Sequence, residues 1–266
     1  MVKEMISGIA KKVLPMPLRN VVRPYWDRLM RIEEIKRLGP AARWPSITKD
    51  EVPFWYSLLD ENNHDPNLWW GPETRAIWTN PEMLLEDYLT ALIKTPEPRV
   101  KILDVGAGPL TSLGKKWPGH NIEITAIDAN APEYDLLLQK LGINPLVRTT
   151  YGIAEELSFP SSSFHLVHAQ NSIDHCRDPI KVILEMVRVV RPGCCVYLDH
   201  RIREGRVEKY MTNHQWDLFP KRGRFYVERP GMKATDVGPL IGECATVSVG
   251  PSRNGRDWFS VTIRRH

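Results

Sequence analysis

Residues 102–114 read ILDVGAGPLTSLG, an apolar run that breaks at glycines and then resumes with helix-like spacing. Three positions in it could do chemistry: the carboxylate of Asp104, and Gly106 and Gly108, where backbone can approach a ligand closely. A phosphate-gripping loop needs G-x-x-x-x-G-K-[ST], so that N–H groups ring a phosphate and a hydroxyl reaches magnesium. Here Gly108 and Gly114 enclose five residues rather than four, and Lys115 is followed by Lys116. The spacing excludes that loop. A dinucleotide fingerprint needs a third glycine for close helix–strand packing, and that position is Thr111.

An acid that leads the glycines suits a ligand without phosphate. S-adenosylmethionine is such a ligand: it carries an amino group, a sulfonium and a ribose. The glycines let backbone approach its methionine part, with Asp104 beside them. Asp128, 24 residues further on at the end of the next apolar run, can accept both ribose hydroxyls. Ribose recognition alone is shared with dinucleotides.

The elements that must position these residues follow from the pattern. From residue 99, strands are predicted over VKILDVG, IEITAID, PLVRTT, FHLVHAQ and CCVYLDH. Helices are predicted between them over LTSLGKKW, APEYDLLLQKLG and DPIKVILEMVRVV, the last stopped by Arg191-Pro192-Gly193. Such alternation implies a parallel α/β sheet. ATVSVG and WFSVTIRRH, joined by PSRNGRD with its Asn254-Gly255, predict a closing antiparallel hairpin. The chain divides near residue 96, which gives a helical N-terminal cap over residues 1–95 and an α/β domain over 96–266. The cap is expected to hold helices over KEMISGIAKKVL and RPYWDRLMRIEEIKRL, and one over EVPFWYSLLDEN capped by Asp50. Another is expected over NPEMLLEDYLTALIK with an apolar face at Met83, Leu84, Tyr88 and Leu92.

LDVGAG, AIDAN, GIAEELSF and FHLVHAQNSIDH, in this order, resemble the motifs of class I S-adenosylmethionine-dependent methyltransferases, over about residues 99–266. The resemblance implies a Rossmann-like seven-stranded methyltransferase sheet, mostly parallel with an antiparallel C-terminal hairpin. It implies S-adenosylmethionine as cofactor and S-adenosylhomocysteine as product. Asp104, Gly106, Gly108, Asp128, Ala129, Asn130, Ala154, Glu155, Gln170 and Asn171 would then form the cofactor site. Many relatives carry an acid that reads the adenine amino group at the position where this chain has Ile153, and His165 stands where they often have aspartate. Adenine recognition here would rest on backbone, apolar packing or another side chain.

Methyl transfer is an in-line displacement, so the protein aligns two reactants and, for a hydroxyl acceptor, removes a proton. The expected catalytic residues are His214, Asp174 and His175. Asp174 and His175 follow the fourth strand and either face the acceptor or open a helix. His214 lies in DHRIREGRVEKYMTNHQWDLF, where relatives commonly build an acceptor lid. It is either a general base, since imidazole titrates near neutrality, or a histidine packed on Trp216. Asp174, Asp199 and histidines could instead gather a divalent ion, but no ligand spacing fixes such a site, and no metal is assigned. The segment NSID lacks the N-P-P-Y pattern of enzymes that methylate base amino groups, which argues against a nucleic-acid partner.

The expected acceptor is thus a small molecule or glycan, most simply at a hydroxyl. Nitrogen or carbon transfer, a peptide or protein acceptor, and a non-catalytic cofactor-binding subunit are the rivals. Six of nine tryptophans (Trp26, Trp44, Trp55, Trp69, Trp70 and Trp78) precede residue 79. They either glue a small cap to the main domain or, with Arg75, line an acceptor pocket. The net charge of +4 is mild, yet residues 1–49 hold eleven Lys/Arg against four Asp/Glu. That basic, amphipathic start is either a solvated face or a peripheral membrane contact. Cys176, Cys194, Cys195 and Cys244 form no CxxC pair, which suits a reducing, cytoplasmic setting. No apolar run approaches membrane-spanning length.

Overall fold

The computed structural model describes residues 51–61, 73–210 and 212–266. The expected helices over KEMISGIAKKVL and RPYWDRLMRIEEIKRL, the Asp50 cap, Trp26, Trp44, Trp69, Trp70 and the basic N-terminus lie outside them.

Seven strands form one sheet. They are β1 (Arg99–Val105), β2 (Asn121–Asp128), β3 (Thr150–Tyr151), β4 (Phe164–Gln170), β5 (Val190–Arg201), and the pair β9 (Ala245–Pro251) and β10 (Trp258–Arg265). Their order is β3-β2-β1-β4-β5-β10-β9. The first five are parallel, β10 runs antiparallel to β5, and β9 antiparallel to β10. The seven-stranded α/β sheet with its C-terminal hairpin is therefore as the sequence predicts. Central strands of such a sheet are covered on both faces and read as continuous apolar runs; β4 is buried from Phe164 to Ala169. The chain winds outward in one direction through β2 and in the other through β4. The reversal between β1 and β4 leaves a crevice at the carboxyl ends of the strands.

Helices α1 (Glu51–Leu59), α4 (Ala131–Leu141) and α5 (Pro179–Val189) carry most of the helical packing, with single turns α2 (Thr74–Trp78) and α3 (Asp87–Thr90) between the first two. Asp178 caps α5 by accepting the N–H groups of Ile180 and Lys181 at 3.0 and 3.1 Å, and Pro179 takes the first helical position, where a missing N–H is harmless. The buried face of α5, Val182, Ile183, Met186 and Val187, joins the main core. Arg191-Pro192-Gly193 does not separate α5 from the next strand as expected. β5 starts at Val190, opposite Phe164, and residues 191–194 loop out before pairing resumes at Cys195 and Leu166.

Two predicted helices are absent, and one contact explains both. LTSLGKKW is irregular, and NPEMLLEDYLTALIK contains only the single turn α3. The N–H groups of Lys115 and Lys116 donate to the carbonyl of Met83 at 2.7 and 3.0 Å, and Leu85 N–H donates to the carbonyl of Lys116 at 2.7 Å. This short ladder draws both segments into extended conformation. Gly114 permits it, because a Cβ there would lie 2.0 Å from the carbonyl oxygen of Leu84. The predicted apolar face moves accordingly. Leu85, Leu89 and Ile93 are buried, whereas Leu84 is 58% exposed.

The lid segment holds more order than its polar sequence suggests. After the turn α6 (Glu204–Val207), strands β6 (Asp217–Lys221), β7 (Arg224–Glu228) and β8 (Thr235–Asp236) form a second, antiparallel sheet. The turn between β6 and β7 is Arg222-Gly223, both with positive φ (52° and 72°), the geometry that matches strand twist in a two-residue hairpin. Leu218, Phe225 and Val227 root this sheet in the main core beside Phe259 and Val261. The turn α7 (Gly238–Ile241) then leads into β9.

Gly114→Ala should lower stability by about 2 kcal/mol, since the added carbon forces a backbone shift in a packed contact. Urea unfolding measures it, and an unchanged midpoint would show that the contact with Leu84 does not need glycine.

Candidate active site

The glycine turn sits at the crevice. Gly106 and Gly108 have φ of 67° and 65°, conformations that glycine adopts without strain. The N–H groups of Gly106 and Ala107 both donate to the carbonyl of Ile127, at 2.9 and 3.1 Å, which clips the turn to the end of β2. A Cβ on Gly106 would lie 2.4 Å from Cβ of Ser172, and one on Gly108 would lie 2.5 Å from the ring of Trp55. Both glycines are thus demanded by protein neighbours as well as by any ligand.

Asp128 closes the other side of the turn. Its carboxylate accepts N–H groups from Gly108 at 3.1 Å and Asn130 at 2.9 Å. Burial is the main influence on it and, despite those two hydrogen bonds, pushes its pKa up to about 6. Asp104 is buried as well, and both of its oxygens are engaged, by the Thr111 hydroxyl at 2.5 Å and by His168 Nδ1 at 2.7 Å. Burial disfavours the charged form of His168, but the Asp104 carboxylate outweighs it and raises the imidazole pKa. Asp104 therefore places negative charge at the wall while holding the turn from below.

A cavity of about 660 Å³ joins these pieces, within the range of small-molecule sites. Each of the ten residues assigned to the cofactor from sequence lines it. Their side chains serve different ends. Glu155 is buried and accepts the N–H groups of Arg177 and Asp178 at 2.7 and 3.2 Å, so its carboxylate braces the approach to α5. Gln170 accepts from the Ser112 hydroxyl at 3.1 Å. Asn171, at φ 47°, donates to Glu204 at 2.6 Å and accepts the Arg201 N–H at 3.1 Å, which ties the end of β4 to the lid.

Also at the cavity wall the predicted catalytic residues meet. A 3₁₀ turn over Ile173–His175 presents Asp174 and His175. His214 Nδ1 lies 2.6 Å from Asp174 Oδ2, 2.9 Å from His175 Nε2 and 3.5 Å from Glu204 Oε2. His175 and His214 line the cavity, and buried Asp174 stands behind them. Burial opposes a charged His175, yet Asp174 and Glu51 prevail and raise its pKa to about 9. The same histidines hold the buried Asp174 carboxyl well below the ordinary range. Trp216 does not pack His214 away; its indole N–H donates to the carbonyl of Cys176 at 2.9 Å. Asp199 is engaged elsewhere, by Asn254 at 2.8 Å, and burial lowers His200 to about 4.

Three participants escaped the sequence reading. Glu51, in the first turn of α1, lies 2.7 Å from His175 Nδ1 and accepts from Trp55 Nε1 at 3.1 Å and from Asn213 at 2.8 Å. Nothing local in the sequence links it to a histidine 124 positions later. Glu204 had no motif to mark it, and Trp55 was one tryptophan among six.

A switch-point cavity, a glycine turn after the first strand and a carboxylate after the second are arranged as in the class I methyltransferase fold. Residues 103–198 match the methyltransferase domain family Methyltransf_11, so this part of the chain is similar to methyltransferase domains. The chain is 27% identical over 146 residues to 2-methyl-6-phytyl-1,4-hydroquinone methyltransferase 1, chloroplastic, of Oryza sativa subsp. japonica, covering 53% of this chain and 44% of that protein. It is 30% identical over 151 residues to the ubiquinone biosynthesis O-methyltransferase of Xanthomonas oryzae pv. oryzae (strain PXO99A), covering 54% and 61%. A glycine/sarcosine/dimethylglycine N-methyltransferase of Actinopolyspora halophila is 24% identical over 159 residues, covering 54% and 28%. The matches thus span about half of this chain and less than two thirds of these relatives' lengths. No helix among the described residues is long and apolar enough to cross a membrane.

The cavity fits the cofactor: a carboxylate at Asp128 for the ribose, glycine backbone for the methionine part, and an extended wall between them. Ribose recognition by an ionised Asp128 makes affinity depend on pH. Because its pKa is raised to about 6, the empty site holds a proton below that pH, and binding must displace it. Calorimetry with S-adenosylmethionine should show affinity nearly constant from pH 8 to 7 and falling up to about tenfold per pH unit well below 6. Asp128→Asn should weaken binding at pH 8 and flatten that slope; a slope kept by the variant would assign it to another group.

Proposed function

We propose that this protein methylates a hydroxyl group of a small-molecule or sugar-containing acceptor. The observation that carries the reading is the Asp174–His214 contact of 2.6 Å beside the cavity that His214 lines. With Nδ1 turned to Asp174, His214 keeps Nε2 for an incoming proton. A carboxylate that orients an imidazole and stabilises its charged form is a general-base arrangement. Bound S-adenosylmethionine supplies an electrophilic methyl group whose bonding pair stays on sulfur as the new O–C bond forms. The chain's own residues fix the geometry. Asp128 and the glycine turn hold the donor, Trp55 and Phe54 cover the cavity from α1, and the hydroxyl proton passes to His214. Orientation supplies much of the rate in such a displacement.

Two of the relatives bear on the acceptor, since one is named for a hydroquinone and another for O-methylation. A second reading, transfer to nitrogen, draws on Glu51 and Glu204, carboxylates at the cavity wall that would attract an amine, and on the N-methyltransferase relative. Radiolabelled methyl donor with pooled phenols, sugars, amines and peptides separates these readings.

His214→Ala should lower turnover at least ~100-fold while leaving S-adenosylmethionine affinity within about twofold by calorimetry. An unchanged rate would remove His214 from the chemistry. A folded chain that binds no S-adenosylmethionine would overturn the whole reading.

A further inference from the structure

Three side-chain ligand atoms converge on one imidazole nitrogen beside the cavity. His214 Nδ1 faces Asp174 Oδ2 at 2.6 Å, His175 Nε2 at 2.9 Å and Glu204 Oε2 at 3.5 Å. A proton on that nitrogen serves only one of them, and Glu204 Oε2 also accepts from Asn171 at 2.6 Å. The remaining oxygen, Asp174 Oδ1, is buried without any hydrogen-bond partner, 3.8 Å from His175 Nε2. A buried carboxylate oxygen left unpaired is costly. Among the described residues, Asp174, His175 and His214 present ligand atoms that all lie within 4.8 Å of one another.

The outer arrangement agrees. A metal-bound histidine usually donates its other N–H to a carboxylate, which fixes the tautomer and aims the lone pair at the ion. His175 does this: Nδ1 meets Glu51 at 2.7 Å and Nε2 points into the cluster. Glu51 is in turn held by Trp55 and Asn213 at 3.1 and 2.8 Å. Nothing about an isolated acid–base pair requires this second tier.

We propose that Asp174, His175 and His214, with Glu204 as a fourth ligand, form a binding site for a divalent transition-metal ion. Two imidazoles with carboxylates favour zinc-like ions over magnesium or calcium. Zinc bonds of about 2.0–2.2 Å to nitrogen and oxygen place tetrahedral ligand atoms roughly 3.3 Å apart. The observed separations of 2.6 to 3.8 Å bracket that value. Because His175, His214 and Glu204 line the cavity, the ion would face the acceptor and could polarise its hydroxyl as a Lewis acid. That consequence rests on the methyltransferase reading above; the binding does not. With the ion in place, His214 binds it through Nδ1 and carries its ring proton on Nε2. The ion, by acidifying the bound hydroxyl, then replaces His214 as the group that favours its deprotonation; the general-base role belongs to the metal-free site.

The test uses the full chain, stripped with a chelator and titrated with Zn²⁺ against a chromophoric competitor. One ion per chain is expected. Asp174→Asn and His214→Gln should each weaken binding at least about 100-fold, and Glu51→Gln, which only positions His175, by about 10-fold or more. His266→Gln, at the exposed C-terminus, should change nothing. Zn²⁺ should also raise the melting temperature of the wild type, a readout that needs no variant to fold. No stoichiometric ion on the wild type, or binding that survives both ligand substitutions, would overturn the site. S-adenosylmethionine calorimetry on the same stripped sample keeps the two readings apart. Cofactor binding without zinc binding removes only the metal site, and zinc binding without cofactor binding removes only the methyltransferase reading.

Discussion

The contact between Glu51 and His175, 2.7 Å long, joins two parts of the chain that would otherwise form separate surfaces. Glu51 begins α1, and His175 ends the 3₁₀ turn beyond β4. Each group loses water in making the contact, and a buried charge is tolerated only when paired. The pairing therefore constrains everything around it. It lays α1 across the mouth of the cavity, where Trp55 meets the face of Gly108 and Tyr134 edge-on. It also aims the second nitrogen of His175 at His214, so the lid's position is set through a histidine rather than through apolar packing alone.

A parallel sheet offers a ligand little by itself; what it provides is a set of strand ends at one edge. Here each end is tied to the next by a single polar contact. Val105 leads into a turn clipped to Ile127, and Ser172 donates to the carbonyl of Val105 at 3.0 Å. Asn171 then spans from β4 to the backbone of Arg201 and to Glu204. Cofactor end and acceptor end are thus linked through Ser172 and Asn171, residues adjacent in sequence. A displacement of the lid moves Glu204, and with it the strand end from which Gln170 also projects.

What the sequence disclosed and what it concealed divide by distance along the chain. The glycine turn, the Asp178 cap and the Asn254-Gly255 hairpin are decided within a few residues, so their residue types announce them. The helix expected at LTSLGKKW failed because Gly114 answers to Leu84, thirty positions earlier, and no local pattern records that demand. The sheet β6–β8 was hidden for another reason. Its strands are short, its turn is Arg222-Gly223 rather than an asparagine–glycine pair, and its outward positions are charged. In the site, Asp174, His175 and His214 were legible as candidates by type and place. Glu51 was not, because a glutamate in a first helical turn ordinarily needs no explanation beyond the helix dipole.

Glu155 shows how a motif can persist while a side chain changes employment. In the family pattern the acid that reads adenine stands where this chain has Ile153, and Glu155 is the nearest carboxylate that could replace it. Both N–H groups before α5, those of Arg177 and Asp178, converge on one oxygen of Glu155. Turning that carboxylate toward a ligand would strip two part-buried donors of their acceptor, at up to roughly 1–3 kcal/mol each where water does not replace it. An adenine hydrogen bond returns about 1 kcal/mol net, so the exchange is unfavourable and Glu155 stays where it is. The adenine end of the cavity is then left with Ala129, Ala154 and Ile127 on its wall. An adenine placed there would meet apolar contact and backbone groups, and Asp128 and the glycine turn would then carry the larger share of cofactor binding.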